Sequence, residues 1–290
     1  MTTDPERRCT CRKCGKEYSA AIESKHRLLC GDARKAEDMT RLMDGRLADM
    51  VWTDPPYGVA IASRIGTGRS MSSAQARVEG GKGIANDDLT VPELVAFLRG
   101  AFDAALSACK PGAVWYVAAP HGPMGVAFSM VLHDLEIWRS SLVWVKDSLV
   151  ISRLDYHYRH EVFYYGWKPG GAHHAVPDRC QTSVFEFPRP KRSEAHPTMK
   201  PVELIRRHIE NSSSPGQSVL DQFAGSGSTL IAAEQTGRKA FLMEIDALYC
   251  DVIVNRWMQF TGRKAERVMA EACEVRTPAP VGTGVEEGVA

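Results

Sequence analysis

Hydrophobic positions along the chain switch repeatedly between two spacings, and this order predicts the fold. Short apolar runs, typical of buried strands, alternate with stretches in which apolar residues recur three or four positions apart, as in helices. Strands and helices that alternate in this way form a parallel sheet. We therefore expect an α/β fold, a Rossmann-like doubly wound and mostly parallel sheet with helices on both faces. The predicted strands are residues 26–30, 48–53, 113–118, 141–145, 162–165, 218–223 and 239–245, and the predicted helices are residues 35–43, 92–109, 128–135, 202–211 and 230–235.

The regular pattern is confined to residues 26–265, which we expect to form one domain. Residues 1–25 are polar and cysteine-bearing and form an appendage, while residues 266–290 are expected to be a flexible tail. Within the domain, residues 58–88 lose the apolar period and should form a long mobile loop, either a lid or binding loop or an insertion without a role. Residues 168–195 also lack a regular pattern.

Composition places the chain among ordinary globular proteins. It has 290 residues, 44% of them hydrophobic and 24% charged, with a net charge of +1. A nucleic-acid-binding surface would therefore have to be a local patch. The chain shows no long apolar run and no signal-peptide pattern, so we expect a cytoplasmic protein that does not bind membranes.

Most of the eight cysteines are scattered, which favours reduced thiols over a disulfide framework. Cys11 and Cys14 have the spacing of a zinc knuckle, which His26 and Cys30 could complete. However, residues 26–30 are predicted as a strand, whose alternating side chains would not all face one metal. We therefore predict no metal site, with zinc as the alternative.

Asp54-Pro55-Pro56-Tyr57 follows the strand at residues 48–53. The two prolines end the strand and make a rigid turn. An exocyclic amine of a nucleobase is a poor nucleophile, and acceptors for both its hydrogens would draw its lone pair out of the ring. Asp54 offers a carboxylate and Pro55 a carbonyl, while Tyr57 can stack on an extruded base. We predict that Asp54, Pro55, Pro56 and Tyr57 are catalytic; the alternative is an ordinary surface turn.

A second turn joins the strand at residues 218–223 to the next helix through the glycine-containing stretch 224–229. Glycines at such a turn allow the backbone to approach a ligand closely. Glu244 follows Gly225 at about the spacing of 20 residues at which an acid contacts a ribose. The unit therefore predicts a nucleoside-containing cofactor. NAD is not favoured because Thr229 replaces a third glycine, and the loop lacks the Gly-Lys-Ser/Thr ending of nucleoside-triphosphate loops.

Taken together, these motifs resemble those of the amino-group DNA methyltransferases that use S-adenosylmethionine. The order matches the permuted arrangement, in which the catalytic turn precedes the cofactor loop, and is most similar to solitary methylases of phages and prophages. The resemblance spans about residues 26–265, with Gln222 where the family commonly has proline and Ala224 where it commonly has glycine. The motifs are Gly31-Asp32, Asp54-Pro55-Pro56-Tyr57, His160-Glu161, residues 196–201, residues 221–229 and residues 244–246.

The resemblance implies a binding site for S-adenosylmethionine. It assigns the methionine part and the cofactor turn to residues 221–229, the ribose to Glu244, the adenine edge to Asp32, and the surroundings of the cofactor's carboxylate to Thr198 and Lys200. The predicted cofactor-binding residues are Asp32, Ala33, Thr198, Lys200, Asp221, Phe223, Ala224, Gly225, Ser226, Gly227, Ser228, Thr229 and Glu244.

The resemblance also implies methylation of adenine N6 in double-stranded DNA after base flipping. Cytosine N4 is the alternative target, although the family then tends to carry serine at the position of Asp54. Ring-carbon methylation of cytosine is disfavoured because no Pro-Cys dipeptide occurs. A protein-glutamine methyltransferase would carry asparagine in place of Asp54. A non-catalytic DNA-binding or zinc-binding module on a decayed scaffold is the remaining alternative.

Two basic stretches are candidates for phosphate contacts, one in the loop 58–88 and one in the segment 168–195, the expected target-recognition segment. His160-Glu161 either orients the site or ties two strands together. The sequence leaves open the recognised DNA site, a homodimer and a partner restriction enzyme. The predicted DNA-binding residues are Arg64, Arg69, Arg77, Lys82, Arg189, Lys191 and Arg192.

Overall fold

The computed structural model describes residues 8–10, 17–19, 26–58, 89–150, 155–190 and 199–266. Nearly all of the predicted loop 58–88 and of the predicted tail 266–290 therefore lies outside the described residues. In the predicted appendage, β1 (Arg8–Thr10) and β2 (Glu17–Ser19) form a small antiparallel sheet.

One eight-stranded sheet forms the centre of the molecule. Its strand order is β3-β10-β9-β4-β5-β7-β6-β8, and within it β7 is antiparallel to both neighbours while every other pair of adjacent strands is parallel. The mostly parallel sheet predicted from the sequence is thereby confirmed. The strands are β3 (Arg27–Cys30), β4 (Ala48–Thr53), β5 (Cys109–Ala119), β6 (Trp138–Val150), β7 (Tyr158–Trp167), β8 (Val184–Glu186), β9 (Ser218–Asp221) and β10 (Lys239–Glu244).

Helices cover both faces of this sheet. Side chains on β4 alternate between them, so that Val51 packs with α1, α2 and α3 while Trp52 packs on the opposite side with α4 and α5. Both side chains are almost fully buried. The helices are α1 (Ala36–Met43), α2 (Val91–Ser107), α3 (Pro123–Asp134), α4 (Val202–Ser212), α5 (Ser228–Thr236) and α6 (Ala247–Thr261). None of the helices in the described ranges is both long and apolar enough to cross a membrane.

Local sequence explains where several elements begin and end. Thr90 and Glu93 form a capping box at the start of α2, in which the Thr90 backbone N–H donates to the Glu93 carboxylate at 2.8 Å. Proline at the second position of α2 is tolerated there because the first turn needs no N–H donor. The predicted strand at residues 48–53 coincides with β4.

Other predicted boundaries were wrong where tertiary pairing overrides local signals. The strand predicted at residues 113–118 begins earlier, at Cys109, because the Gly112 N–H donates to the Lys168 carbonyl at 2.9 Å. The segment 168–195 was expected to be irregular, but it contains β8, which extends the sheet beside β6. Helix α6 was not predicted at all.

Strand order places a crevice at the carboxyl ends of β4 and β9. From β4 the chain passes through α2 to β5 on one side, and from β9 through α5 to β10 on the other side. Ligands bind at such a switch point in doubly wound sheets, because the two crossovers diverge and leave the strand ends uncovered. The two turns singled out from the sequence, after β4 and after β9, therefore lie side by side.

Candidate active site

The turn after β4 presents a carboxylate whose two oxygens both accept hydrogen bonds. Asp54 Oδ1 accepts from the Tyr57 hydroxyl at 2.8 Å, and Asp54 Oδ2 accepts from Lys200 Nζ at 2.5 Å. The Tyr57 ring packs edge-to-face against Phe128, with ring centroids 6.0 Å apart. Shielding from water and the neighbouring Asp54 hold the pKa of the Tyr57 hydroxyl well above its usual range. Tyr57 is therefore a neutral donor at this site.

Lys200 connects this turn to β7 and β6. Its ammonium also lies 3.3 Å from Glu161 Oε2, and the other Glu161 oxygen lies 2.7 Å from Lys146 Nζ. Burial tends to lower the pKa of Lys200, but Asp54 and Glu161 outweigh it and hold that pKa well above the usual range. Burial tends to raise the pKa of Glu161, yet the two lysines bring it down to about 2. Two ammonium groups thus alternate with two carboxylates.

Sequence reasoning did not anticipate this network. Lys200 was expected near the cofactor's carboxylate, and that role stays a prediction; the contact observed is with Asp54. The sequence marked Glu161 only as part of His160-Glu161, and this residue both faces the site and joins two strands. Lys146 was missed, because a lysine in a strand is usually exposed and its sequence position does not reveal a buried ion-pair partner.

The turn after β9 is built around Asp221. This residue is only 1% exposed and accepts from the Phe223 backbone N–H at 3.1 Å and from the Thr229 hydroxyl at 2.6 Å. Gly225 and Gly227 adopt positive φ angles of 51° and 77°, which glycine tolerates best. The loop therefore curls back on the start of α5.

Glu244 at the end of β10 supports this loop. Its carboxylate accepts from the Gly225 backbone N–H at 2.8 Å and from the Asp246 backbone N–H at 3.0 Å. Arg256 on α6 donates to the Ser226 carbonyl at 2.9 Å and to the Ser228 hydroxyl at 3.2 Å. Sequence reasoning missed Arg256 because the helix that carries it was not predicted.

Asp32 and Ala33 follow β3, which pairs with β10, so they lie at the same edge as Glu244. Ala33 is buried. The Asp32 carboxylate accepts from Arg34 Nη2 at 2.7 Å, and this guanidinium holds the pKa of Asp32 below its usual value. The structure thus brings together the predicted residues of three separate motifs.

The chemistry of this edge fits a cationic nucleoside cofactor. Asp221 and Glu244 end the neighbouring strands β9 and β10, and the donors to Asp221 within the described ranges are all neutral. Burial without a cationic partner raises the pKa of Asp221 to about 7. S-adenosylmethionine, the cofactor implied by the resemblance, carries a sulfonium and an ammonium that such carboxylates would stabilise.

The remaining predictions concern residues that are mostly outside the described part of the chain. Among the described ones, Arg189 is exposed and its backbone N–H donates to Asp147 at 2.9 Å. His26 Nε2 lies 2.8 Å from Glu234, and His26 Nδ1 accepts from the Ala240 backbone N–H at 2.9 Å. Both ring nitrogens thus have protein partners, which disfavours the alternative zinc set. The residues outside the described ranges are Cys11, Cys14, Arg64, Arg69, Arg77, Lys82, Lys191, Arg192 and Thr198.

The raised pKa of Asp221 predicts a pH-dependent stability of the cofactor-free protein. The folded state favours the protonated Asp221 carboxyl. The contribution of this group to the free energy of unfolding is therefore fully present below the ordinary pKa of 3.8 and is lost as the pH rises through about 7. Relative to that of Asp221→Asn, the free energy of unfolding of the wild type should therefore fall by on the order of 3 kcal/mol between pH values of about 4 and about 8. Chemical denaturation across this pH range measures the shift. A difference independent of pH would contradict it.

Known proteins with a similar fold include methyltransferases. The chain is similar to the crystal structure of the M1.HpyAVI–SAM complex, with a TM-score of 0.54, 18% identity, and coverage of 80% of this chain and 99% of that one. It is also similar to PvuII DNA methyltransferase (cytosine-N4-specific), with a TM-score of 0.57, 16% identity, and coverage of 81% and 86%. At these identities the similarity shows the fold alone.

Sequence relatives align over shorter stretches. DNA adenine methyltransferase YhdJ of Escherichia coli (strain K12) is 42% identical over 78 residues, 26% of this chain and 26% of the relative. Type II methyltransferase M.Cfr9I of Citrobacter freundii is 33% identical over 102 residues, 33% of this chain and 32% of the relative. The matched segments thus span about a quarter to a third of these relatives.

A family model matches a longer stretch of the chain than these sequence relatives do. Residues 48–255 match the N6_N4_Mtase model, described as DNA methylase. This range contains both turns of the site and the Lys146–Glu161–Lys200 network. Because the match spans more than half of the chain, and because the motif order predicts the same family, the protein belongs to the amino-group DNA methyltransferases that act on N6 of adenine or N4 of cytosine.

Proposed function

We propose that this protein transfers a methyl group from S-adenosylmethionine to the N6 amine of adenine in double-stranded DNA. The observation that carries the proposal is the juxtaposition, across the switch point between β4 and β9, of the Asp54 turn and the Asp221 loop. One turn offers acceptors for an amine, and the other offers a buried carboxyl group whose donors within the described ranges are neutral, which suits a cationic cofactor.

S-adenosylmethionine supplies an electrophilic methyl group on a sulfonium, with a neutral thioether as leaving group. Asp221 and the backbone of the loop up to Thr229 would hold its methionine part, and Glu244 its ribose hydroxyls. Glu244 already orders the loop through Gly225, so ribose binding and loop geometry are coupled. Asp32 would face the adenine edge.

The catalytic turn would orient the target amine. Asp54 and the Pro55 carbonyl accept the two amine hydrogens, which frees the nitrogen lone pair from conjugation with the ring. Stacking of Tyr57 on the flipped base requires its hydroxyl to leave Asp54 Oδ1, which frees that oxygen for the amine. Lys200 can remain on Oδ2, because the amine binds the other carboxylate oxygen. Asp54 or water then takes the proton that the methylated amine releases.

Adenine is favoured over cytosine by the identity of residue 54. An aspartate at this position is the family's usual companion of adenine, and YhdJ, which is similar over 78 residues, is a DNA adenine methyltransferase. Cytosine N4 is the second candidate because its amine needs the same two acceptors. The fold similarity to PvuII DNA methyltransferase is compatible with either base.

The flipped base has to come from a duplex bound across this edge of the sheet. Arg189 in the segment 168–195 is exposed, as a phosphate contact requires, and the basic residues of the loop 58–88, which lie outside the described ranges, are further proposed phosphate contacts. The segment 168–195 is the proposed site of sequence recognition, since β8 places it beside β6 at the edge of the sheet.

Expression in a host without DNA methylation tests the function. We expect single-molecule sequencing, together with nucleoside mass spectrometry, to show N6-methyladenine in one short motif. N4-methylcytosine would keep the reaction and change the target base. If neither base is modified and the purified protein does not bind S-adenosylmethionine, the protein is instead a non-catalytic member built on the methylase scaffold.

A further inference from the structure

A continuous network of four charged side chains reaches from β6 to the catalytic turn. Its members are, in order, Lys146, Glu161, Lys200 and Asp54. Lys146 lies on β6, Glu161 on β7 and Asp54 directly after β4, while Lys200 precedes α4. The successive contacts measure 2.7, 3.3 and 2.5 Å. The arrangement therefore joins the paired strands β6 and β7 to the turn after β4 and to the segment before α4.

This network of charged side chains is well shielded from solvent. The side chains of Lys146 and Lys200 are 7% and 8% exposed, and those of Glu161 and Asp54 are 21% and 24% exposed. Lys146 also lies over the Trp144 ring, with its nitrogen 5.2 Å from the ring centroid. Burying a charge costs free energy unless the charge is paired. Loss of any one member of this buried, charge-balanced network would therefore leave another charge without its partner.

We propose that Glu161 is a positioning residue for methyl transfer: it holds the Lys200 ammonium against Asp54, and Lys146 in turn holds Glu161. This inference rests on the proposed role of Asp54. Glu161 does not need to touch the base or the cofactor. Its effect is to keep Lys200 on Asp54 Oδ2, so that the other oxygen is aimed at the target amine when Tyr57 moves away.

Glu161→Gln removes the charge but keeps the shape. We expect kcat to fall about 10-fold, because a reacting group that is displaced slightly loses rate steeply, while KM for DNA and Kd for S-adenosylmethionine stay within about twofold. Single-turnover methylation of the mapped DNA site and calorimetric cofactor binding measure these quantities.

The pH profile of kcat separates positioning from a structural role. Lys200 faces Asp54, Glu161 and Tyr57, and Lys146 faces Glu161 from the next strand. In Glu161→Gln, burial of Lys200 is opposed by one carboxylate instead of two, so the pKa of Lys200 falls. The loss of kcat expected on deprotonation of Lys200, the alkaline limb of the profile, therefore moves to lower pH. A general loss of packing would lower the melting temperature without moving this limb.

Lys146→Met provides a contrasting variant. It loosens Glu161 but leaves both carboxylates on Lys200, so we expect a smaller fall in kcat, about threefold, and no shift of the alkaline limb to lower pH. Glu136→Gln is the matched control, because Glu136 is exposed in the turn that precedes β6, away from Lys146. It should behave as wild type.

The outcomes distinguish this inference from the proposed function. If the wild type methylates DNA, Asp54→Ala does not, and Glu161→Gln keeps the wild-type kcat and pH profile, the positioning role is overturned while the function stands. If the wild type modifies no base, the proposed function and the positioning role of Glu161 are both refuted. Should Glu161→Gln fail to fold, Lys146→Met decides, and an unchanged kcat in that variant overturns the proposal.

Discussion

Replacing Asp54 with alanine is expected to lower the rate of methyl transfer about 1,000-fold, as the loss of a preorganised electrostatic contact does in other enzymes. The carboxylate is the proposed acceptor for the target amine, and it is also the partner of Lys200 at 2.5 Å. Cofactor affinity should change by no more than about twofold, because the loop after β9 keeps its own contacts. Single-turnover methylation and calorimetric titration with S-adenosylmethionine measure the two effects.

An exposed acid provides the control for this variant. Asp103 on α2 is 50% exposed and pairs with Arg99 at 3.0 Å on the surface. Asp103→Ala should keep the wild-type rate, because exposed ion pairs contribute little. A wild-type rate in Asp54→Ala would refute the catalytic assignment. Loss of cofactor binding in Asp54→Ala would show instead that the two turns fold as one unit.

Gly227→Val is expected to weaken the affinity for S-adenosylmethionine about 30-fold, which corresponds to about 2 kcal/mol. Gly227 directly precedes α5 and has φ +77°, a conformation that β-branched residues rarely adopt. A Cβ at this position would also lie 3.0 Å from the side chain of Ile253. The loop must therefore shift, and its backbone would no longer face the cofactor in the same way.

Gly216→Val separates backbone strain from loop displacement. Gly216 has φ +85°, and a Cβ added there would have no heavy atom within 4 Å. Both variants should lose similar unfolding free energy from the left-handed conformation, about 1 to 2 kcal/mol, but only Gly227→Val should lose cofactor affinity. Equal affinities in the two variants would argue against a role for the loop after β9 in holding the cofactor.

The catalytic turn and the cofactor loop can both be recognised in the amino-acid sequence alone. Each is a short stretch in which chemistry and backbone geometry are encoded together: two prolines end β4 beside Asp54, and glycines with positive φ follow Asp221. The alternation of apolar runs and helical periods likewise determined the mostly parallel sheet, because burial on both faces requires continuous apolar strands. The order of the motifs along the chain indicated the family.

Only the tertiary structure decided which charges meet. Asp54 and Lys200 are 146 residues apart, and Lys200 joins Glu161 because the strand order brings β4, β7 and the segment before α4 to one edge. Arg256 reaches Ser226 and Ser228 in the same way, from a helix that was not predicted although Asp246 caps its start and Gly262 follows its end. Local sequence specifies elements and turns through backbone preferences, whereas partners across the sheet depend on packing and desolvation over the whole domain.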